Sequence, residues 1–189
     1  MPSQTDEELA VALKRGDQSA FEELVRRHQG RVYAIAYRMT SNREDALDVA
    51  QEALLKAYRK IDSWAPTGSF GAWMTRLAAN QCIDHLRRMK RHRHERLDES
   101  FRRDSGMNIA APKTEQTETQ VRGIEIDDRI QSALGVLSPS QRAVFVLRHY
   151  EGKSLAEIAP VLGCTVGSVK VHLFRALKKL RVELGDLHE

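Results

Sequence analysis

Three sets of side chains in this chain have types and spacings that could do chemistry, and none of them pairs a nucleophile with a base. The first lies in "FGAWMTRLAANQCIDHLRRMKRH", where Arg76, Asn80, Asp84, Arg87 and Arg91 recur at steps of three and four and so share one helical face. Guanidinium groups neutralise phosphates, and an amide among them offers the donor and acceptor that a base edge requires. The run then continues into "RRMKRHRHER", with six Lys or Arg and one acid. Trp64, Phe70 and Trp73 surround the preceding loop "SWAPTGS". Aromatics beside a basic groove can stack exposed bases. Core packing is the ordinary use of Phe70 and Trp73, which leaves Trp64 as the stacking candidate.

The second set is in "SLAEIAPVLGCTVGSVKVHLFRALKKL". Ser154 and Glu157 make a capping box, Gly163 supplies a turn, and Thr165 can cap a second helix. That helix carries an apolar stripe of Val166, Val169, Leu173, Leu177, Leu180 and Leu184. From Lys170 to Arg181 there are five Lys or Arg and no acid. A bare charge run is usually a solvated face. Here it follows a cap, a tight turn and the small Ala159, the arrangement of a helix-turn-helix that reads duplex DNA. Gly167 permits close backbone approach, Ser168 and Lys170 reach base edges or phosphates, Val171 touches a thymine methyl, and Arg175 reads guanine or grips the backbone. Pro160 sits too late in the first helix to be a helix-start proline, so a kink is expected there.

The third set is acidic. Asp45, Asp48 and Glu52 lie on one face, and no Lys or Arg falls between Glu44 and Glu52. Two readings stay open. The helix dipole stabilises acids near an N-terminus, and Glu52 can pair with Lys56. Equally, like charges at this spacing repel, and a basic partner would relieve them.

The elements that must position these sets are all helical. Of 189 residues, 30% are charged and only 6% aromatic, with a net charge of +4; acids and bases are segregated along the chain. Capping boxes at Thr5–Glu8, Ser19–Glu22 and Ser41–Glu44, and a cap at Ser69, open four helices. The second buries Phe21, Leu24, Val25, Val32, Ile35, Ala36 and Met39, and the third Leu47, Ala50, Leu54, Tyr58 and Ile61. Periodicity is lost from about Glu99 to Gly123. It returns in a helix carrying Ile126, Ile130, Ala133, Leu134 and Leu137, then at Ser138 with Pro139 and Gln141. The expected fold is all-α: two small helical domains joined by a flexible linker, with residues 5–95 in the first, 96–124 in the linker and 125–187 in the second.

Two cysteines far apart suggest no disulfide framework. The polar, acidic start and the absence of a long apolar run suggest a cytoplasmic protein without signal peptide, anchor or direct membrane insertion. No cofactor and no enzymatic activity is expected, since there is no Gly-rich phosphate loop. Cys82, His85, His92 and His94 could be assembled into a metal set, but their spacing is not a zinc pattern. Cys164, beside the turn, is read as a small buried residue rather than a redox centre.

"DALDVAQEALLKAYRKIDSW", "FGAWMTRLAANQCIDHLRR" and "LSPSQRAVFVLRHYEGKSLAEIAPVLGCTVGSVKVHLFRALKKLR" together resemble the sigma-70 superfamily, and the short two-domain form is similar to its extracytoplasmic-function (ECF) members. The resemblance implies an RNA polymerase sigma factor with a region 2 bundle and a region 4 helix-turn-helix. Asp45, Asp48, Gln51 and Glu52 match positions that dock on the β′ clamp helices of core RNA polymerase, and the β flap is a further implied contact. The loop from Asp62 to Ser69, with Trp64, and Arg76, Asn80, Asp84, Arg87 and Arg88 match the segment that melts and reads the minus-ten element on the non-template strand. Thr165, Gly167, Ser168, Lys170, Val171 and Arg175 match the reader of the minus-thirty-five element in duplex promoter DNA. An anti-sigma factor, a stringent promoter requirement, and the lack of housekeeping domains are also implied. A LuxR-type regulator is the rival for the last segment, but it would bring an α/β domain that the first half does not show.

Overall fold

The structure, a computed structural model, describes residues 4–100 and 129–185, with side chains of the first segment described through residue 93. Among the described residues, eight helices run in order: α1 (Asp6–Lys14), α2 (Gln18–Thr40), α3 (Arg43–Arg59), α4 (Phe70–Ser100), α5 (described over 129–135), α6 (Pro139–His149), α7 (Leu155–Leu162) and α8 (Val166–Leu184). A 3-10 turn, Ile61–Ser63, leads from α3 into the loop before α4. Among the described residues there is no strand. Helices α1 to α4 form one bundle, and α6 to α8 a second, which α5 joins through Ala133 and Leu134 against Ala176 and Leu180. Most of the expected linker, with Ile126, lies outside the described residues. The backbone of α4 runs on to Ser100, past the expected boundary at residue 95.

Local chemistry explains the helix starts. The capping boxes of Thr5, Ser138 and Ser154 are all formed, each side-chain oxygen accepting from the backbone N–H three residues on while the Glu or Gln there accepts from the cap's own N–H. Each such cap contributes about 1 kcal/mol. Two starts differ from expectation. Asp17, not Ser19, caps α2, accepting from the Ser19 N–H at 3.0 Å and the Ser19 hydroxyl at 2.7 Å. Asn42, not Ser41, caps α3, accepting from the Asp45 N–H at 3.0 Å. Ser41 instead ends α2 in the left-handed region at φ 54°.

The inner face of α3 also differs. Leu47 and Tyr58 are 46% and 40% exposed, and the buried residues are Ala46, Val49, Ala50, Ala53 and Ala57. Small side chains let α3 lie close against α2 and α4, so the larger apolar groups are turned outward. On α2, Leu24, Val32, Ile35, Ala36 and Met39 are buried as the periodicity predicts, while Phe21 and Val25 are half-buried. Pro160 lies inside α7, which continues to Leu162 and ends at Gly163 in the left-handed region, φ 62°. Proline forfeits the bond to the carbonyl of Ala156. Both residues are exposed, so water can satisfy that carbonyl.

The two bundles pack against each other. Ala143 and Val146 of α6 join the core of the first bundle, and Ala79 of α4 joins Val144, Leu147 and Ile158 of the second. Arg142, 5% exposed, donates from Nε to the Arg38 carbonyl at 3.0 Å and from Nη2 to the Ser41 hydroxyl. Ser41 also donates to Gln131 Oε1 at 2.9 Å. Arg31 pairs with Glu151 at 2.7 Å, where the Glu151 side chain is 6% exposed. Arg38 lies over the Tyr150 ring, 4.4 Å from its centroid.

Candidate nucleic-acid interface

Helix α4 begins where three elements converge. Ser69 Oγ accepts from the Ala72 N–H at 3.3 Å, and Glu7 of α1 accepts from the Phe70 N–H at 3.1 Å. The inward side buries Phe70, Met74, Ala78, Cys82 and Ile83. That burial leaves Arg76, Asp84, Arg87 and Arg88 exposed and Asn80 half-buried on the outer face. Asn80, Asp84 and Arg87 share a cleft of about 330 Å³ with Lys56 and Lys60 of α3 and with Ser140 and Leu162 of the second bundle. A larger open cleft of about 840 Å³ runs on past Arg88 and Arg91 to Pro139 at the start of α6. The α4 cations thus line a groove whose far wall is α6 and α7. The sequence offers Lys56 only as a partner for Glu52 and gives Lys60 no role. Lys56 stands in the last turn of α3 and Lys60 caps it, where a helix C-terminus favours cations, and that was the available signal.

Trp64 is not placed as a free stacking surface. It is 2% exposed, its indole N–H donates to the Gly68 carbonyl at 3.1 Å, and its ring meets Phe70 edge-on at 6.1 Å. Phe70 in turn meets Trp73 at 5.5 Å and His28 at 5.3 Å. Trp64 shapes the loop from within, while residues 65–69 are exposed.

The acidic set divides. Asp48 and Gln51 are exposed. Asp45 is half-buried, 3.5 Å from His85 Nε2. Glu52 accepts from the Gln81 amide and lies 3.6 Å from Arg88. The acidic face of α3 is therefore continuous with the basic face of α4. Leu47, Leu55 and Tyr58 stand beside it with 40–50% exposure, giving an apolar complement to the acids.

On α8, Thr165 caps the helix, accepting from the Ser168 N–H at 3.1 Å and lying 3.0 Å from the Ser168 hydroxyl. Gly167, Lys170 and Arg175 are exposed and Val171 is 46% exposed, on one side of the helix. A Cβ at Gly167 would meet only Thr165 Oγ1, at 3.7 Å, so the surface over it is open. The expected inner stripe is incomplete: Val169 and Leu180 are buried, but Val166 and Leu177 are 39% and 40% exposed. Phe174, 70% exposed, stands one turn on from Val171. Its place off the inner stripe could have been read from 100° per residue.

Cys82 is fully buried, and burial pushes its thiol up to about 12, with the Arg142 charge opposing the rise. His94 lies outside the described side chains, and among the described residues no group of three His, Cys, Asp or Glu could hold a metal. No helix among them is long and apolar enough to cross a membrane.

Comparison with known proteins matches residues 24–92 to Sigma-70 region 2 and residues 127–180 to Sigma-70 region 4. The chain is 34% identical over 178 residues to the ECF RNA polymerase sigma factor SigW of Bacillus subtilis, covering 93% of this chain and 94% of that protein. It is 36% identical to SigE of Mycolicibacterium smegmatis, covering 95% of this chain and 68% of that one. Among solved structures, CnrH in complex with the cytosolic domain of CnrY superposes with a TM-score of 0.66 at 28% identity, covering 97% of this chain and 99% of that one. The chain belongs to the sigma-70 family and, within it, to the ECF RNA polymerase sigma factors.

Proposed function

We propose a division of labour in which α3 docks the chain on core RNA polymerase, α4 and the loop before it open and read the minus-ten element, and α8 reads the minus-thirty-five element. The observation that carries this reading is the placement of two exposed cationic helix faces, on α4 and α8, in separate bundles of one chain. Asp48 and Gln51, with Leu47 and Leu55 beside them, meet the β′ clamp helices, while the second bundle meets the β flap. Lys and Arg supply affinity through phosphates, and Asn80, Ser168 and Arg175 supply the hydrogen bonds that discriminate bases. No covalent step is assigned to this chain.

The reading requires the bundles to separate. By their names the two promoter elements lie about 25 base pairs apart, about 85 Å at 3.4 Å per pair. The 31 residues of α4 span about 46 Å. With α6 and α7 against the α4 groove, both elements cannot be held at once, so promoter binding exchanges the interdomain contacts for DNA and polymerase. CnrH, solved with a second protein, has this chain's fold along almost its whole length. We carry over to this chain a protein regulator of the anti-sigma kind.

The test is direct. Purified chain mixed with bacterial core RNA polymerase should co-elute on size exclusion, and the complex should give start-site-specific transcripts that core alone does not. Separate elution, with autonomous binding to a duplex operator, would replace this reading with that of a conventional regulator.

A further inference from the structure

Helix α1 lies outside both family-matched segments and carries no role in the scheme above. Yet three of its side chains reach other elements. Asp6 ties α1 to α2 through Arg27 at 2.9 Å and His28 at 2.7 Å. Glu7 caps α4 through the Phe70 N–H at 3.1 Å. Lys14, in the last turn, donates to the Trp64 carbonyl at 2.6 Å and the Asp62 carbonyl at 3.2 Å, with its ammonium 5.7 Å from the Trp64 ring centroid.

Trp64 belongs to the same core as Leu9, Ala10 and Leu13 of α1, but residues 65–69 beyond it are exposed, so polar ties matter for that stretch. The loop closes on itself, through the Gly68 N–H to the Ala65 carbonyl at 2.9 Å and the Trp64 indole to Gly68. Between the loop and α1 lies an open cleft of about 470 Å³, with Trp64 and Pro66 on one wall and Val11 and Ala12 on the other. The Lys14 ammonium reaches across from α1, and two of its three donors are used on loop carbonyls. Hydrogen bonds from a charged donor are the stronger kind. They hold the chain at Asp62 and Trp64, where the 3-10 turn enters the loop.

We propose that Lys14 is a positioning residue for minus-ten discrimination: it touches no DNA itself, and it sets the loop's conformation so that the loop accepts some bases and refuses others. The proposal rests on the reading of this loop as part of the minus-ten reader. Free of Lys14, the loop samples several conformations, and the discrimination it supplies is averaged away.

The experiment assembles the full chain with core polymerase and transcribes a pool of templates randomised across the minus-ten element. The readout is the base preference at each position among the transcripts, with core affinity and melting temperature measured alongside. Lys14→Met keeps the apolar stem and removes the donors. It is expected to flatten preference by about tenfold at one or two adjacent positions, the effect of about 1.4 kcal/mol, with core affinity unchanged. Lys14→Arg restores donors and should restore the profile. Glu7→Ala, which uncaps α4 at the other end of the loop, should flatten the same positions. Equal loss at every position, or no change of profile, would overturn the proposal. A loop variant, Pro66→Gly with Thr67→Ala, separates the two levels. If it leaves the profile intact, the loop is not a reader and the assignment beneath the proposal fails. If it flattens the profile and Lys14→Met does not, Lys14 alone is dismissed.

Discussion

Asp48 and Glu52 stand four residues apart on one face of α3, in different chemical situations. Glu52 is engaged by Gln81 and Arg88, so replacing it disturbs the α3–α4 seam as well as any docking surface. Asp48 is exposed and carries no such ties. Asp48→Lys is therefore the cleaner test of polymerase docking. It should weaken core binding at least tenfold, read by fluorescence anisotropy, with an unchanged melting temperature; unchanged affinity would remove Asp48 from the interface. A second residue-scale expectation concerns acid. Burial pushes the Asp6 carboxyl up, but hydrogen bonds from Arg27 and His28 outweigh it and hold the group below its ordinary value. Glu23, bound by Arg26 and Arg27, is held down to about 2. Both acids are depressed on folding. Their stabilisation is present above the unfolded values, near 4, and is lost as pH falls through the folded ones. The melting temperature should thus fall as pH drops below about 4, modestly because both pairs are partly screened by solvent, and Asp6→Asn should shallow that slope. An identical slope in the variant would show that Asp6 contributes none of it.

At the scale of the element, α8 gives the sharpest expectation. Arg175 is exposed, outside the core formed by Val169, Ala176 and Leu180. Arg175→Ala should lower transcription about tenfold or more from promoters that depend on the upstream element, the cost of one good base contact. On templates with that element scrambled it should change little. Equal losses on both would make Arg175 a backbone contact. Much of this element was legible, because caps and turns are local: Ser154, Gly163 and Thr165 act within a few residues of themselves, and the sequence holds everything needed to read them. The acidic and basic faces were legible for the same reason. What escaped depends on neighbours. Asn42 competed with Ser41 for the α3 cap, and Ser41 was drawn to Gln131 and Arg142, about a hundred residues away in sequence. Leu47 and Tyr58 scored as core residues, but the space between α2, α3 and α4 admits alanines. Trp64 read as a stacking candidate because its burial depends on α1 and on the bundle core, which its own segment does not announce.

At the scale of the whole molecule, the packed bundles impose an energy that promoter binding must overcome. The Arg31–Glu151 pair is one measurable part of it. Arg31→Glu sets two carboxylates together where the Glu151 side chain is nearly buried, and should favour separation by about 2 kcal/mol or more. Small-angle scattering should report a larger radius of gyration for the single variant and the parent value for Arg31→Glu with Glu151→Arg. Recovery is the decisive arm, since a change that merely unfolded the first bundle would not be undone from the second. Cys82 bears on the same equilibrium from another side. Its thiol is buried in the core that Ala143 and Val146 of α6 help to complete, and burial raises its pKa, against the Arg142 charge, so that it stays protonated. In a Cys164→Ser background the remaining sulfur becomes a clock. The rate at which a thiol reagent consumes it counts how often the core shared by α4 and α6 opens in solution, with no polymerase, no promoter and no attached dye.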